Sequence, residues 1–283
     1  MNGLINLYKP TSMSSARAVS AVKRILGEKR VGHMGTLDPM AEGVLIIGVG
    51  KSARLFDYMT NRRKSYIAKF KFGYSTDTLD ALGTVTGTTR DIPSIDAVLG
   101  AMNSLVGEIE QIPPEYSAKH VAGRRAYDMA RGGEAVELKP CKVQVYGIEL
   151  ICQPSMEEAV FSIECSSGTY IRSICRDVAK MCGSLATLTY LQRTSSGCFS
   201  VRDSITLDAL ELRREQALIS AEVALADMPV IELADELYDD LLHGRKIVCD
   251  FSGDNRVYCR GEFFGVGCST DGKLNIKTYL KDE

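Results

Sequence analysis

The chain has little with which to build a metal centre or a disulfide framework. Its three histidines, at 33, 120 and 243, are scattered without ligand spacing, and its nine cysteines are an odd number with no C-x-x-C pair. Reduced, mostly buried thiols are expected instead of a zinc site or a cross-linked secreted fold. No apolar run approaches the roughly 18 residues of a membrane span. The opening Met1-Asn2-Gly3-Leu4-Ile5-Asn6 lacks the basic start and long apolar core of a signal peptide. The expectation is a cytoplasmic protein with no membrane partner. Low-complexity tracts are also missing, and 283 residues of ordinary composition, 45% hydrophobic and 25% charged, suit about two globular domains.

The charge is unevenly spread. Residues 1–90 carry 14 Lys and Arg against 6 Asp and Glu, whereas residues 91–226 carry 13 against 18 and residues 227–283 carry 7 against 12. A basic first third in a chain of net charge -2 is either a solvated surface or a face that binds a polyanion.

The densest stretch is Arg30-Val31-Gly32-His33-Met34-Gly35-Thr36-Leu37-Asp38-Pro39-Met40-Ala41-Glu42-Gly43, followed at once by the apolar Val44-Leu45-Ile46-Ile47. Glycines and a proline around one histidine and one aspartate bend the backbone into a loop, and the apolar run reads as a buried strand that holds it still. An Asp-Pro pair is more often a plain turn than a site. A lone carboxylate on a glycine-rich loop braced by a core strand is nevertheless a sensible place for a nucleophile or base. Two imitations fail. Gly48-Val49-Gly50-Lys51-Ser52-Ala53 mimics a dinucleotide fingerprint, but Ala68-Lys69-Phe70-Lys71 lies about 20 residues on, where an acid should hold the ribose. As a phosphate loop the same residues would need a glycine at position 45, which is Leu45.

Pattern places a strand at residues 4–8 and then a helix capped by Ser14 or Ser15, with Val19, Val22, Ile25 and Leu26 on its apolar stripe. Residues 51–61 look helical. Residues 64–72 alternate as a strand that turns Tyr66, Ala68, Phe70 and Phe72 to one face and Lys69 and Lys71 to the other. Asp77, Asp80 and Gly83 mark a turn before a strand at 84–87. A helix at 94–106, an extended segment at 112–116 and a short helix at 123–133 follow, the last presenting Arg124 and Arg131 on one side. Strands at 142–150 and 159–165 lead through Ser166-Ser167-Gly168-Thr169 into a helix whose stripe is Ile171, Ile174 and Val178. Arg172 then points away from the core, toward the turn, where an arginine can keep a carboxylate ionised. Met228-Pro229 is the expected hinge. Beyond it, strands at 247–251, 256–260, 263–267 and 274–279 suggest a small β-barrel.

These segments together resemble the TruB family of tRNA pseudouridine synthases over nearly the whole chain. The resemblance rests on Lys9-Pro10 followed by the serine pair, Gly32-His33-Met34-Gly35-Thr36-Leu37-Asp38-Pro39 with Ala41-Glu42-Gly43-Val44-Leu45, and Lys64-Ser65-Tyr66. Pro113-Pro114 with Tyr116-Ser117-Ala118, Gly168-Thr169-Tyr170-Ile171-Arg172 and Leu191-Gln192-Arg193-Thr194 complete it. It implies an α+β pseudouridine synthase fold: a mixed, mainly antiparallel sheet flanked by helices over residues 1–227, with a PUA-like barrel over 228–283. It implies isomerisation of uridine 55 in the tRNA T-loop without metal or cofactor, by a cytoplasmic monomer that needs neither guide RNA nor a protein partner.

By the same resemblance Asp38 is the catalytic aspartate, Arg172 its partner and Tyr66 the aromatic that stacks on the base. His33, Tyr170 and Leu191 line the pocket or hold the flipped nucleotide. Lys9, Lys64, Arg124, Arg131 and Arg193 are expected against RNA. The chain departs from the usual pattern with Ser12 in place of glycine, Cys141 in place of arginine, Ser167 in place of lysine, and Ser195 and Cys198 in place of arginine and proline. Several of these remove positive charge, so weaker or more salt-sensitive RNA binding is expected. Two alternatives remain. A non-catalytic RNA-binding protein would have no use for Asp38 with Arg172, and a guide-RNA-dependent relative would be longer, with basic tails.

Overall fold

The computed structural model describes residues 1–117, 119–121, 124, 125, 129, 132 and 138–281. Its strands are β1 (Gly3–Lys9), β2 (Val31–His33), β3 (Glu42–Val49), β4 (Lys64–Phe72), β5 (Tyr74–Thr76), β6 (Val85–Thr88), β7 (Gly107–Gln111), β8 (His120–Val121), β9 (Arg124–Arg125), β10 (Cys141–Ser155), β11 (Glu158–Cys165), β12 (Ala186–Ser196), β13 (Phe199–Ser200), β14 (Val230–Leu233), β15 (Asn255–Cys259), β16 (Glu262–Thr270) and β17 (Lys273–Tyr279). The helices used below are α1 (Ser15–Leu26), α2 (Phe56–Thr60), α3 (Ile95–Ser104) and α4 (Ile171–Met181).

The alternation of β4 becomes a two-faced central strand: Lys64, Tyr66, Ala68, Phe70 and Phe72 are buried on one side while the residues between them are half-exposed. Around it the large sheet runs β1-β3-β12-β4-β11-β10-β7, with β2 added to β3 and β13 to β12. Neighbours are antiparallel except β3 and β12, which meet in parallel through Gln192–Glu42 and Arg193–Gly43. Gly43 allows that meeting, because its φ is +101° and a Cβ there would collide with the Arg193 carbonyl.

The buried faces of α1, α3 and α4 cover one side of this sheet through Ala18 and Val22, Val98 and Met102, and Ile171, Ile174 and Val178. Phe70 and Phe161 stack across β4 and β11 with ring centroids 5.3 Å apart. Each such large side chain withdrawn from water contributes about 1.5–3 kcal/mol. On the other side Leu4, Val44, Ile46 and Leu55 pack with Val266 and Leu280, so the C-terminal sheet is docked against β1 and β3. That sheet, ordered β14-β15-β16-β17, has its own core around Leu233, Ile247, Val257 and Phe264.

The C-terminal barrel expected from spacing is a four-stranded sheet, and no pairing of β14 with β17 closes it among the described residues. The strand expected at 247–251 is reduced to a bridge between Val248 and Lys273. The sheet instead recruits β14, directly after Pro229, in parallel with β15. The helix expected at 123–133 is corrected at its start, where Arg124–Arg125 pair with His120–Val121 as a strand, while Met129 is helical as expected. Arg131 lies outside the described residues. The described cysteines are all free. Cys165, Cys175 and Cys259 are buried, Cys152 and Cys198 are exposed and the others are half-buried. Among the described residues no helix is long and apolar enough to cross a membrane.

Ser12, which stands where the family commonly has glycine, has a φ of +61°. A side chain in that left-handed region is strained, so Ser12→Gly is expected to raise stability by about 0.5–1 kcal/mol, read as an upward shift in Tm.

Candidate active site

Three anchors shape the loop between β2 and β3. Ser14 caps α1 by accepting from the Arg17 amide, which turns Ser15 inward. The Ser15 hydroxyl then accepts from the Leu37 amide and donates to the Leu37 carbonyl, both at 2.9 Å. From β12, Arg193 donates to the carbonyls of Val44 at 2.7 Å, Thr36 at 3.2 Å and Gly35 at 3.4 Å. From the end of β1, the Lys9 ammonium donates to the carbonyls of Ala41 at 2.5 Å, Met13 at 2.7 Å and Pro10 at 2.8 Å. Asp38 sits between these fixed points.

Arg172, one residue into α4, meets Asp38 side-on. Its Nε lies 2.9 Å from Oδ2, and its Nη2 donates to Oδ1 at 3.0 Å. The guanidinium is only 4% exposed, whereas the Asp38 side chain keeps 26% of its surface open. Arg172 also donates from Nη1 to the Thr78 carbonyl and from Nη2 to the Tyr116 carbonyl, at 3.0 Å each, while its buried Nε, although close to Oδ2, makes no aligned hydrogen bond among the described residues. Asp80 stands 3.7 Å from Nη1 and is held by the Thr78 hydroxyl at 2.7 Å and the Leu82 amide at 3.0 Å. One guanidinium therefore serves two carboxylates and cannot leave one without exposing the other to an unpaired burial. Asp80 had been legible only as a turn residue; its buried, charged role has no local sequence signal beyond Asp77-Thr78-Leu79-Asp80. The expectation that Arg172 points away from the core is corrected too, because its side chain is buried beneath the Thr78 and Tyr116 carbonyls that it binds.

Asp38, Tyr66, Tyr170, Leu191, Lys64 and Arg193 line one cavity of about 460 Å³. Tyr66 pairs across the sheet with Arg193 and is 7% exposed. Burial pushes its phenol up to about 12, so it is protonated at neutral pH. Burial also raises the Tyr170 hydroxyl. Gln111, 2% exposed, fixes the Tyr170 backbone by accepting from its amide at 2.8 Å and donating to its carbonyl at 3.1 Å. His33 is half-buried on β2 and stands outside the cavity wall.

The cations expected against RNA divide. Lys9 and Arg193 are corrected: at 0% and 1% exposure their charges are turned onto loop carbonyls and cannot meet a phosphate. Lys64 faces the cavity but is 6% exposed, donating to the Thr60 and Arg62 carbonyls at 2.8 and 3.0 Å. Burial brings the Lys9 and Lys64 ammonium groups down to about 8. Arg124 is exposed on β9.

Two outcomes follow. Arg172→Lys keeps a cation but loses the fork that spans Asp38, so the rate should fall by about 10²-fold or more while the folded state survives, as judged by circular dichroism. In alkaline absorbance titration, one tyrosine that ionises near pH 12 in the wild type should be missing from Tyr66→Phe.

A model described as TruB family pseudouridylate synthase (N terminal domain) matches residues 23–171, and one described as Pseudouridine synthase II TruB, C-terminal, matches residues 229–278. The chain is 40% identical to the tRNA pseudouridine synthase B of Clostridium tetani, covering 99% of this chain and 100% of that protein. It is 38% identical to that of Caulobacter vibrioides, covering 88% and 82%. Among solved structures, a chain of a Cbf5-Nop10-Gar1 complex superposes with a TM-score of 0.73 at 22% identity, over 99% of this chain and 85% of that one, which speaks for the fold alone. With a family model matched over more than half of its length and a 40% identical relative aligned over 99% of it, this chain belongs to the TruB family of pseudouridylate synthases.

Proposed function

We infer that this chain isomerises uridine to pseudouridine at position 55 in the T-loop of tRNA, working as a cytoplasmic monomer without guide RNA or a protein partner. The observation that carries the reading is the Asp38–Arg172 pair on the wall of a cavity shared with Tyr66. The relatives named tRNA pseudouridine synthase B support the tRNA substrate. We place the boundary between the catalytic and RNA-gripping domains at 227/228, supported by the start of β14 just after Pro229.

The reaction breaks the bond from N1 to the ribose, turns the uracil and joins C5 to the same carbon. N1 gains a proton and C5 loses one. The base must first leave its stack, which costs a few kcal/mol, and an aromatic partner returns about 1–3 kcal/mol. Tyr66 is that partner, and Leu191 and Tyr170 complete the slot. Asp38 has three chemical routes: addition to the base, attack on the ribose, or abstraction of a sugar proton. Each needs the carboxylate aimed at the nucleotide, and Arg172 fixes its direction. Being protonated itself, Tyr66 takes up the C5 proton only as its own hydroxyl proton goes to water, and water returns a proton to N1, with Arg193 beside the phenol oxygen.

The test uses an unmodified tRNA transcript tritiated at uridine C5, with no other RNA or protein added. Wild type should release tritium stoichiometric with position 55, and Asp38→Asn should release it roughly 10³-fold more slowly or worse while binding the transcript within a few-fold. Binding without release by the wild type would make this an RNA-binding protein, and release dependent on an added guide would place it with the guide-dependent relatives.

A further inference from the structure

Four cations line the cavity, and three of them are already engaged. Lys64 and Arg193 are held by backbone carbonyls, and Lys142 pairs with Glu108 at 2.8 Å. Lys119, just before β8, differs. Its ammonium donates to the sulfur of Cys141, the first residue of β10, and the Cys141 thiol donates in turn to the Lys139 carbonyl at 3.5 Å. The sulfur thus stands between the ammonium and a backbone carbonyl. No carboxylate among the described residues lies within ion-pair distance of Lys119. Among the described residues the half-buried ammonium is therefore oriented by a sulfur and not paired with a carboxylate, and its charge reaches the Tyr170 hydroxyl of the same cavity.

A uridine within an RNA strand carries a phosphodiester on each side. The inner wall supplies a carboxylate, two phenols and an aliphatic side chain, and its buried cations are occupied. We propose that Lys119, seated by Cys141, binds a phosphodiester flanking the uridine that enters the cavity; this deepens, and rests on, the reading of the cavity as the uridine site. A charge-assisted hydrogen bond to phosphate suits a lysine, which acts as a point charge, and a soft sulfur, a weak acceptor, holds it in place. An acid in the place of Cys141 would cancel the charge.

The test is single-turnover tritium release from T-arm hairpins in which the target uridine is flanked by natural phosphates, or by one uncharged methylphosphonate on the 5′ or the 3′ side. Lys119→Met should raise the RNA concentration for half-maximal rate by about tenfold and flatten the dependence of log affinity on log salt by about 0.7–1, with the maximal rate within about twofold. Lys119→Arg should restore most of both, and Cys141→Asp should reproduce the loss with the lysine intact. One methylphosphonate should cost the wild type about tenfold and Lys119→Met nothing further. An unchanged salt slope in Lys119→Met, or equal sensitivity of both proteins to each methylphosphonate, overturns the proposal. Absence of release from the natural hairpin by the wild type would overturn the uridine reading itself, and this assignment with it.

Discussion

A carboxylate held bare beside a buried guanidinium is the constraint around which the molecule is built. Arg172 is 4% exposed and Asp38 is open along one edge, so the pair is dry on the protein side and accessible on the cavity side. Such a pair is weak evidence for stability, because desolvating two charges offsets much of their attraction. Its value here is chemical. The fixed positive charge holds the Asp38 carboxylate in one orientation at the cavity edge, and the second carboxylate, Asp80, keeps the guanidinium from swinging away.

The rest of the fold secures that geometry by directing cations onto the backbone. The loop around Asp38 has no regular hydrogen-bonding ladder of its own, yet its carbonyls are satisfied by Arg193, Lys9 and Ser15 from three different elements. Charged groups are used because a long donor can reach a carbonyl that no amide approaches. Burying the Lys9 ammonium is costly, which the downward displacement of its titration expresses, and its three acceptors make that burial tolerable.

How much of this was legible depended on whether the signal was local. Period-two alternation gave β4 with Tyr66 facing inward, and the glycine-rich run into Val44 gave the loop and β3, since both are written in adjacent residues. Long-range use of charge was not legible. Lys9 and Arg193 read as ligands for phosphate because sequence reports that a cation is present but not which way it points. Asp80 read as a turn for the same reason, its partner Arg172 lying 92 residues away in the chain. In the C-terminal sheet, β14 has four residues and pairs with a strand more than twenty residues later, so neither length nor spacing announced it.

The most direct measurement is the crystal structure of this protein with a T-arm hairpin carrying 5-fluorouridine at the target position, where fluorine cannot leave as a proton does. The account predicts the base outside its stack and against Tyr66, with Asp38 bonded to the nucleotide or within about 3.5 Å of its reacting carbon, and Arg172 still on the carboxylate. A uracil that stays stacked in the RNA loop, or a cavity filled with Arg172 withdrawn from Asp38, would contradict it.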